Sequence, residues 1–495
     1  MTRTRRLVGA LAVAAVAVTA LTACDSFTTS PITAQEFVNE LAIPPLAEST
    51  VQDGVRTFHL TAQEGETDFP GIGTSETWGF NGSLLGPTLR AQRGEQVAVD
   101  VDNELSEPTS VHWHGMHLPA AMDGGPHQMV APGKTWRPTW RIDQPAATLW
   151  YHPHPHGETE SHVYRGLAGM FLLDDEQSLA AALPKQYGVD DLPLIVQDKQ
   201  FRDGRLSMDG GSEVGILGNT ILVNGTPGAY RRVTTERVRL RLLNGSTGRT
   251  FTFAFEDRSM TMIASDGGLL DKPLELDRLR LAPGERAEVV VAFRPGETVR
   301  LRSVKTDLGG VVVPGTAGGN DAFDVLEFRA AKALTPSPKP SWEPTAEADR
   351  PRESDASVTR RFVLADDQIN GKSMDMSRID EIAYVGDTEV WEVTSGQPVP
   401  HSFHVHDVQF RILTIDGKAP PAELAGPKDT VYLKPNVRYR LLLRFEDYAD
   451  PTMPYMYHCH MLRHEDKGMM GQFVVIRPGQ ENEVGMPQMK GMDHH

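Results

Sequence analysis

The chain has 495 residues, 39% of them hydrophobic and 23% charged, a length that suits about three domains, each able to bury its own core. The formal net charge is −17, with no clustered Lys/Arg to neutralise phosphates, so nucleic acid is not expected as a partner. The acidic balance is read as a solubilising surface. With 45 glycines and 35 prolines and few stretches of helical period, the composition favours short strands and turns.

Residues 1–24 read as an export leader rather than fold. Arg3, Arg5 and Arg6 precede an apolar run over 7–20 of signal-peptide length. The run ends in Leu21-Thr22-Ala23-Cys24, which resembles the bacterial lipobox cleaved before cysteine. Cys24 would then carry lipid and tether the chain to the outer face of the cytoplasmic membrane; the alternative is an ordinary secretory signal. Sec and twin-arginine export both stay open. No later stretch reaches the roughly 20 apolar residues needed to cross a bilayer, so membrane contact is expected only through that lipid. The second and last cysteine is Cys459, which leaves no internal disulfide in an oxidising compartment.

Further along, one pattern recurs. Asn81-Gly82, Asn224-Gly225 and Asn370-Gly371 each precede an alternating strand, at 96–101, 237–242 and 389–393. A turn containing Pro132, Pro283 or Pro435 then introduces another strand, and these prolines stand 151 and 152 residues apart. Period-two alternation between turns predicts three tandem Greek-key β-sandwiches. The expected layout is domain 1 at 36–176, domain 2 at 185–333, a Pro/Ser/Glu-rich linker at 334–357, domain 3 at 358–480 and a Met/His tail at 481–495. The 17 histidines avoid the middle repeat, which makes it a spacer between two domains that build a site.

Four His-x-His segments stand out: His112/His114, His152/His154, His404/His406 and His458/His460. Residues i and i+2 of a strand share a face, so each pair aims two imidazoles at one spot, as metal ligands require. Imidazole suits copper, iron, nickel and zinc. One such pair is unremarkable on a surface; four confined to two repeats are not. Cys459 lies between His458 and His460, and its side chain faces the other way. With His401, His464 and Met469 it completes a set of one Cys, two His and one Met, the ligands of a blue-copper electron-transfer site.

At these residues the chain resembles the multicopper oxidase (laccase-like) family. Ser110 to Gly115, Trp150 to His154, His401 to His406 and His458 to Glu465 look like its four signatures, in family order, and the resemblance spans about residues 45–478. It is most similar to bacterial three-domain cuprous oxidases and spore-coat-type laccases. The resemblance implies cupredoxin-like domains and four copper ions, one type 1, one type 2 and two type 3. His401, Cys459, His464 and Met469 would hold type 1 copper, and His112 and His404 type 2. His114, His152, His154, His406, His458 and His460 would hold the type 3 pair. His156 is expected behind the ligands. The family's two acids match Asp123 and Glu465, expected to bring protons to the site where dioxygen is reduced to water.

The electron donor is less legible. Family members oxidise phenols, aromatic amines, bilirubin or Cu(I). Cuprous oxidases carry a Met-rich insert before domain 3 and an acid–methionine pair ahead of the type 1 histidine. Here 334–357 lacks methionine and Gln397-Pro398-Val399-Pro400 precedes His401, so that docking site does not carry over. Met374, Asp375 and Met376 remain as a sulfur/carboxylate cluster, with core filling as the plainer reading. The tail (Met486, Met489, Met492, His494, His495) could capture copper. The expectation is a monomeric oxidase acting in copper tolerance on Cu(I) or small organic donors. The alternatives are a dedicated phenol or amine oxidase, a two-domain nitrite reductase, a passive copper buffer, and a cell-division scaffold of the same fold. A nitrite reductase needs neither the third repeat nor eight clustered histidines, and such scaffolds have lost ligands that are all present here.

Overall fold

Alternating apolar positions along the chain pair across six sheets in the computed structural model, which describes residues 36–209, 211–311, 313–344 and 350–485. Val97, Val99 and Val101 of the strand Gln96–Asn103 point into a core shared with Trp113, Tyr151 and Phe171 of a second sheet, forming the first sandwich. Leu192, Leu194 and Val289 of one sheet meet Phe251, Leu301 and Phe328 of another in the second. Phe362, Trp391 and Leu441 meet Phe403, Tyr457 and Phe473 in the third. The predicted all-β, three-sandwich class is what forms. The leader with Cys24 and the tail residues from Met486 on lie outside the described residues. Among the described residues no helix is long and apolar enough to cross a membrane.

The recurring asparagines have one physical role. Asn81 (φ 58°), Asn224 (φ 50°) and Asn370 (φ 53°) adopt the left-handed conformation that a short amide side chain tolerates. Each amide then staples a neighbouring strand by accepting from one backbone N–H, of Thr61, Ile195 or Val363, and donating to the carbonyl two residues earlier, of His59, Pro193 or Arg361. Chain order and sheet membership part company at one point. Asn39–Glu40, inside the stretch assigned to domain 1, pairs in parallel with Ala229 and Tyr230 of the second sandwich. The segment after 334 is tied down rather than free: Ser341 pairs with Ala182, and the Trp342 indole donates to the Leu270 carbonyl at 2.8 Å.

Alternation also misleads once. In Arg237–Asn244 the arginines occupy the positions expected to face water, yet Arg239 and Arg241 are buried. They pair with Glu288 and Asp191, and Arg241 reaches Thr148 of the first sandwich at 2.9 Å. That sheet face is an interface between sandwiches, where an arginine persists only because its charge is matched.

Candidate metal centre

Strand parity sorts the histidines. Phe403 lies opposite Cys459 and His404 opposite His458 on the antiparallel strands His401–Val405 and Tyr455–Cys459. Odd-numbered Phe403, Tyr457 and Cys459 enter the core of the third sandwich, while His404 and His458 project toward the first. There, His112 lies opposite His152 and Trp113 opposite Tyr151, so the two aromatic rings pack inside and the imidazoles face out. The two outward faces meet. His114 stacks on His404 at 3.7 Å between ring centroids, and His112 on His406 at 3.8 Å. Imidazole nitrogens gather in three groups, each mixing the two sandwiches: His112/His114/His404, His114/His152/His460 and His154/His406/His458, and Asp123 joins His112 and His406 in a further one.

Hydrogen bonds to carbonyls and carboxylates, which can only accept here, fix the protonated nitrogen of most of these rings. Nδ1–H of His112 donates to the Asp123 carbonyl (3.0 Å), of His404 to Asp429 (2.9 Å), of His152 to Pro153 (2.8 Å) and of His458 to Cys459 (3.2 Å). Nδ1–H of His406 donates to Asp123 Oδ2 at 2.7 Å. His114 is reversed: its Nε2–H points at Asp429 Oδ1 (3.1 Å) and Thr430 Oγ1 (3.0 Å). The opposite nitrogens therefore carry lone pairs. Those of His112, His114, His152 and His404, with both nitrogens of His460, are buried without a hydrogen-bond partner. Nε2 of His458 faces Nε2 of His154 at 3.2 Å and of His406 at 3.3 Å.

Lone pairs brought this close repel unless a cation lies among them. Separations near 3.3 Å are also the edges of a tetrahedral shell whose metal–nitrogen bonds are about 2.0 Å. Burial holds the His114, His152, His404 and His406 rings well below their ordinary range and brings His154 and His460 down to about 3. Neutral imidazoles do not compete with a metal by protonating. The donor set therefore fits soft-to-borderline cations such as copper.

The second site is separate and inside the third sandwich. Cys459 Sγ lies 3.5 Å from Nδ1 of both His401 and His464, and those nitrogens are 3.2 Å apart. His464 donates its Nε2–H to the Glu213 carbonyl at 2.9 Å, which leaves Nδ1 free to ligate. Burial pushes the thiol up to about 12, so a bound cation is what would hold it as thiolate. Met469 is buried in the same core; its N–H donates to the His464 carbonyl and its carbonyl accepts from Cys459 N–H.

Of the expected acids, Asp123 is buried, with Oδ2 on His406 and Oδ1 3.4 Å from His112 Nδ1 without a hydrogen bond. The Glu465 carboxylate lies 3.1 Å from His458 Nδ1 and 3.3 Å from His154 Nδ1, so it faces the histidine cluster rather than the cysteine. His156 departs from expectation. It is exposed, because Pro155 opens a turn closed by Glu158 N–H and the strand-like alternation stops. The middle sandwich is more than a spacer: the Pro283 carbonyl accepts from Ser402 Oγ, Gly284 packs on the His460 ring, and Glu213 supports His464. Sequence reasoning missed Asp429 and Thr430, which orient His114 and His404. Their only trace in the chain is Gly115, whose missing side chain leaves them room: a Cβ there would stand 2.6 Å from Asp429 Oδ2.

Two sandwiches sharing one imidazole cluster, with a cysteine–histidine site beside it, define a metal-dependent redox protein. Models of multicopper oxidase domains match residues 61–178, 196–302 and 343–479. A multicopper oxidase of Staphylococcus epidermidis is 36% identical over 88% of this chain and 92% of its own length. The cell division protein FtsP of Xenorhabdus nematophila is 37% identical over 89% and 93%. Among solved structures, a multicopper oxidase from Pediococcus acidilactici superimposes with TM-score 0.81 and 34% identity, covering 92% of this chain and 94% of that one. A laccase-like enzyme from Ochrobactrum, described as active towards lignin model compounds, gives 0.79 and 36%, covering 88% and 100%. The chain belongs to the multicopper oxidase family. It is a copper-using oxidoreductase of cupredoxin-like sandwiches, and enzymes of this family work with oxygen and a reductant.

Proposed function

We propose that the protein couples four one-electron oxidations of a reductant to the reduction of dioxygen to two waters, using one type 1, one type 2 and two type 3 coppers. The observation that carries this reading is the set of lone pairs directed at one another across the two sandwiches, with His154 and His458 Nε2 only 3.2 Å apart. His401, Cys459, His464 and Met469 hold the type 1 ion; His112 and His404 hold type 2. His114, His152 and His460 hold one type 3 ion, and His154, His406 and His458 the other. Bound copper supplies one-electron storage at each site, four electrons being what dioxygen needs. Cys459 is joined by its own backbone to His458 and His460, so three consecutive residues connect both sites. Asp123 and Glu465, each beside two cluster histidines, are the carboxylates that relay protons to the oxygen-reducing side.

The donor is Cu(I) or a small phenol or aromatic amine, and the setting is copper tolerance outside the cytoplasm. Support for Cu(I) comes from Met374, whose N–H donates to the Gly468 carbonyl at 2.9 Å, putting the Met374/Asp375/Met376 segment beside Met469. The Ochrobactrum relative favours organic donors instead. Cys24 anchors the exported monomer by lipid, the 481–495 tail gathers copper, and the domains run 36–176, 185–333 and 358–480. A second reading, a cell-division role without turnover, is favoured by the identity to FtsP. Oxygen uptake by copper-loaded protein, comparing Cu(I) with dimethoxyphenol, separates these readings. Uptake with Cu(I) in preference supports copper tolerance, and uptake with the phenol alone supports a laccase. Copper loading that produces no blue absorption would sink the assignment.

A further inference from the structure

Arg286, in the histidine-free middle sandwich, is wholly buried and spends all five of its guanidinium N–H groups. Nη1 and Nη2 grip the two Asp429 oxygens at 2.6 Å each. Nε donates to the Thr148 carbonyl (3.0 Å), Nη1 also to Gly284 (3.1 Å) and Nη2 also to Asp266 (3.1 Å). Its partners thus come from all three sandwiches: Thr148 heads the first-sandwich strand that ends in His152, and Asp429 precedes Thr430 in the third. A second buried cation extends the network, since Lys428 Nζ bridges Asp266 (2.8 Å) and Glu285 (3.1 Å).

What the fork holds still is a tautomer selector. Asp429 Oδ1 accepts the Nε2–H of His114, and its backbone carbonyl accepts the Nδ1–H of His404. Thr430 Oγ1 lies within 3.1 Å of both rings and donates to Asp429 Oδ1 at 2.8 Å. Rotation of the Asp429 carboxylate would release His114 and the Thr430 hydroxyl that lies between the two rings, leaving His404 on the Asp429 backbone carbonyl alone, and the guanidinium fork is what prevents that rotation. Gly115, directly after His114, leaves the room: a Cβ would fall 2.7 Å from Arg286 Nη2.

We infer that Arg286 is a positioning residue for the trinuclear site, acting through the Asp429 carboxylate to keep His114 presenting Nδ1 and to hold the Thr430 hydroxyl against His404, so that the middle sandwich governs a cluster to which it gives no ligand. This rests on the proposed assignment of His114 and His404 as copper ligands. The test uses the full copper-loaded chain with Arg286→Met and Arg286→Lys. Arg360→Met serves as control, since Arg360 binds Glu389 and Glu381 in the third sandwich and touches no candidate ligand. For each protein, copper per chain, the type 2 paramagnetic resonance signal and the blue absorption are measured. The blue colour is then bleached anaerobically by a donor and restored with oxygen.

The expected result for Arg286→Met is normal blue absorption and bleaching, an altered type 2 signal, and cluster copper lost to a chelator about 10- to 100-fold more readily, with recolouring slowed to match. Arg286→Lys, which keeps the charge but offers three donors without a fork, should fall between; if the methionine variant does not fold, this comparison stands alone. Wild-type copper content, resonance and recolouring in the lysine and methionine variants would overturn the inference. So would the same losses in Arg360→Met, which would mark them as general destabilisation. A wild-type chain without cluster copper would instead overturn the assignment of the ligands.

Discussion

At the scale of single residues, the environment distinguishes candidate ligands from bystanders that look alike in the chain. His152, His154 and His156 alternate with prolines, yet the first two are buried among imidazoles and the third is in water. His156→Ala should therefore leave copper content and turnover within experimental scatter of wild type, and a loss of cluster copper would return it to the ligand set. Asp123 is the opposite case, with one carboxylate oxygen on His406 and the other buried without a hydrogen bond, 3.4 Å from His112 Nδ1. Asp123→Asn keeps an acceptor for His406 but removes the exchangeable acid. Blue absorption should persist while oxygen reduction slows by about a hundredfold, the scale of a lost general acid. Recolouring by oxygen at the wild-type rate would reject the role.

At the scale of elements, the short strands matter because they are rigid and cross-paired. A two-residue period on His112–His114 turns both imidazoles to one face and Trp113 to the core, and on His401–Val405 it sends His404 to the cluster and His401, with Phe403, to the cysteine side. Turn glycines set the approach distances. Gly115 has φ 85°, and a Cβ there would lie within 2.9 Å of Asp429, Arg286 and Leu149 side chains at once. Gly115→Ala combines backbone strain with displacement of a buried ion pair, so it should cost at least about 2 kcal/mol. Denaturant midpoints of the metal-free proteins measure this; an unchanged midpoint would mean that the fork yields without cost.

At the scale of the whole molecule, the proposed metal binding would make copper loading and domain docking one event, because every cluster group draws candidate ligands from the first and third sandwiches. Copper that binds only the docked state raises its stability by linkage. Metal-free protein should melt earlier, with docking lost first, and identical calorimetric traces would count against a shared site. Acid gives a sharper contrast. Eight buried histidines of the two candidate metal sites are held below their ordinary range, mainly by burial. An unfolded chain protonates them near their usual value, about 6.5, so their contribution is present above that pH and lost as pH falls below it. Each costs about 1.4 kcal/mol per pH unit, against a total stability of roughly 5–15 kcal/mol. Metal-free protein should therefore open within about two pH units below 6.5, while copper-loaded protein holds longer. His117 has the opposite sign. Burial lowers it, but Asp407 and Asp447 outweigh that and hold it well above its usual range. Its link between first and third sandwiches is present at low pH and lost as pH rises through the shifted value, and His117→Gln should weaken that alkaline limb.

Much of this was legible without coordinates, for local reasons. Strand periodicity, turn residues and the i, i+2 geometry of His-x-His are properties of neighbouring residues, so the three sandwiches, the histidine pairs and the odd parity of Cys459 follow from the chain alone. What the sequence could not reveal depends on pairs of residues hundreds of positions apart. That His114 is the reversed tautomer, that His156 faces water and that Arg286 holds Asp429 are decided only when three sandwiches close on one another. No short-range pattern encodes which carbonyl, carboxylate or guanidinium will then stand within 3 Å of a given ring.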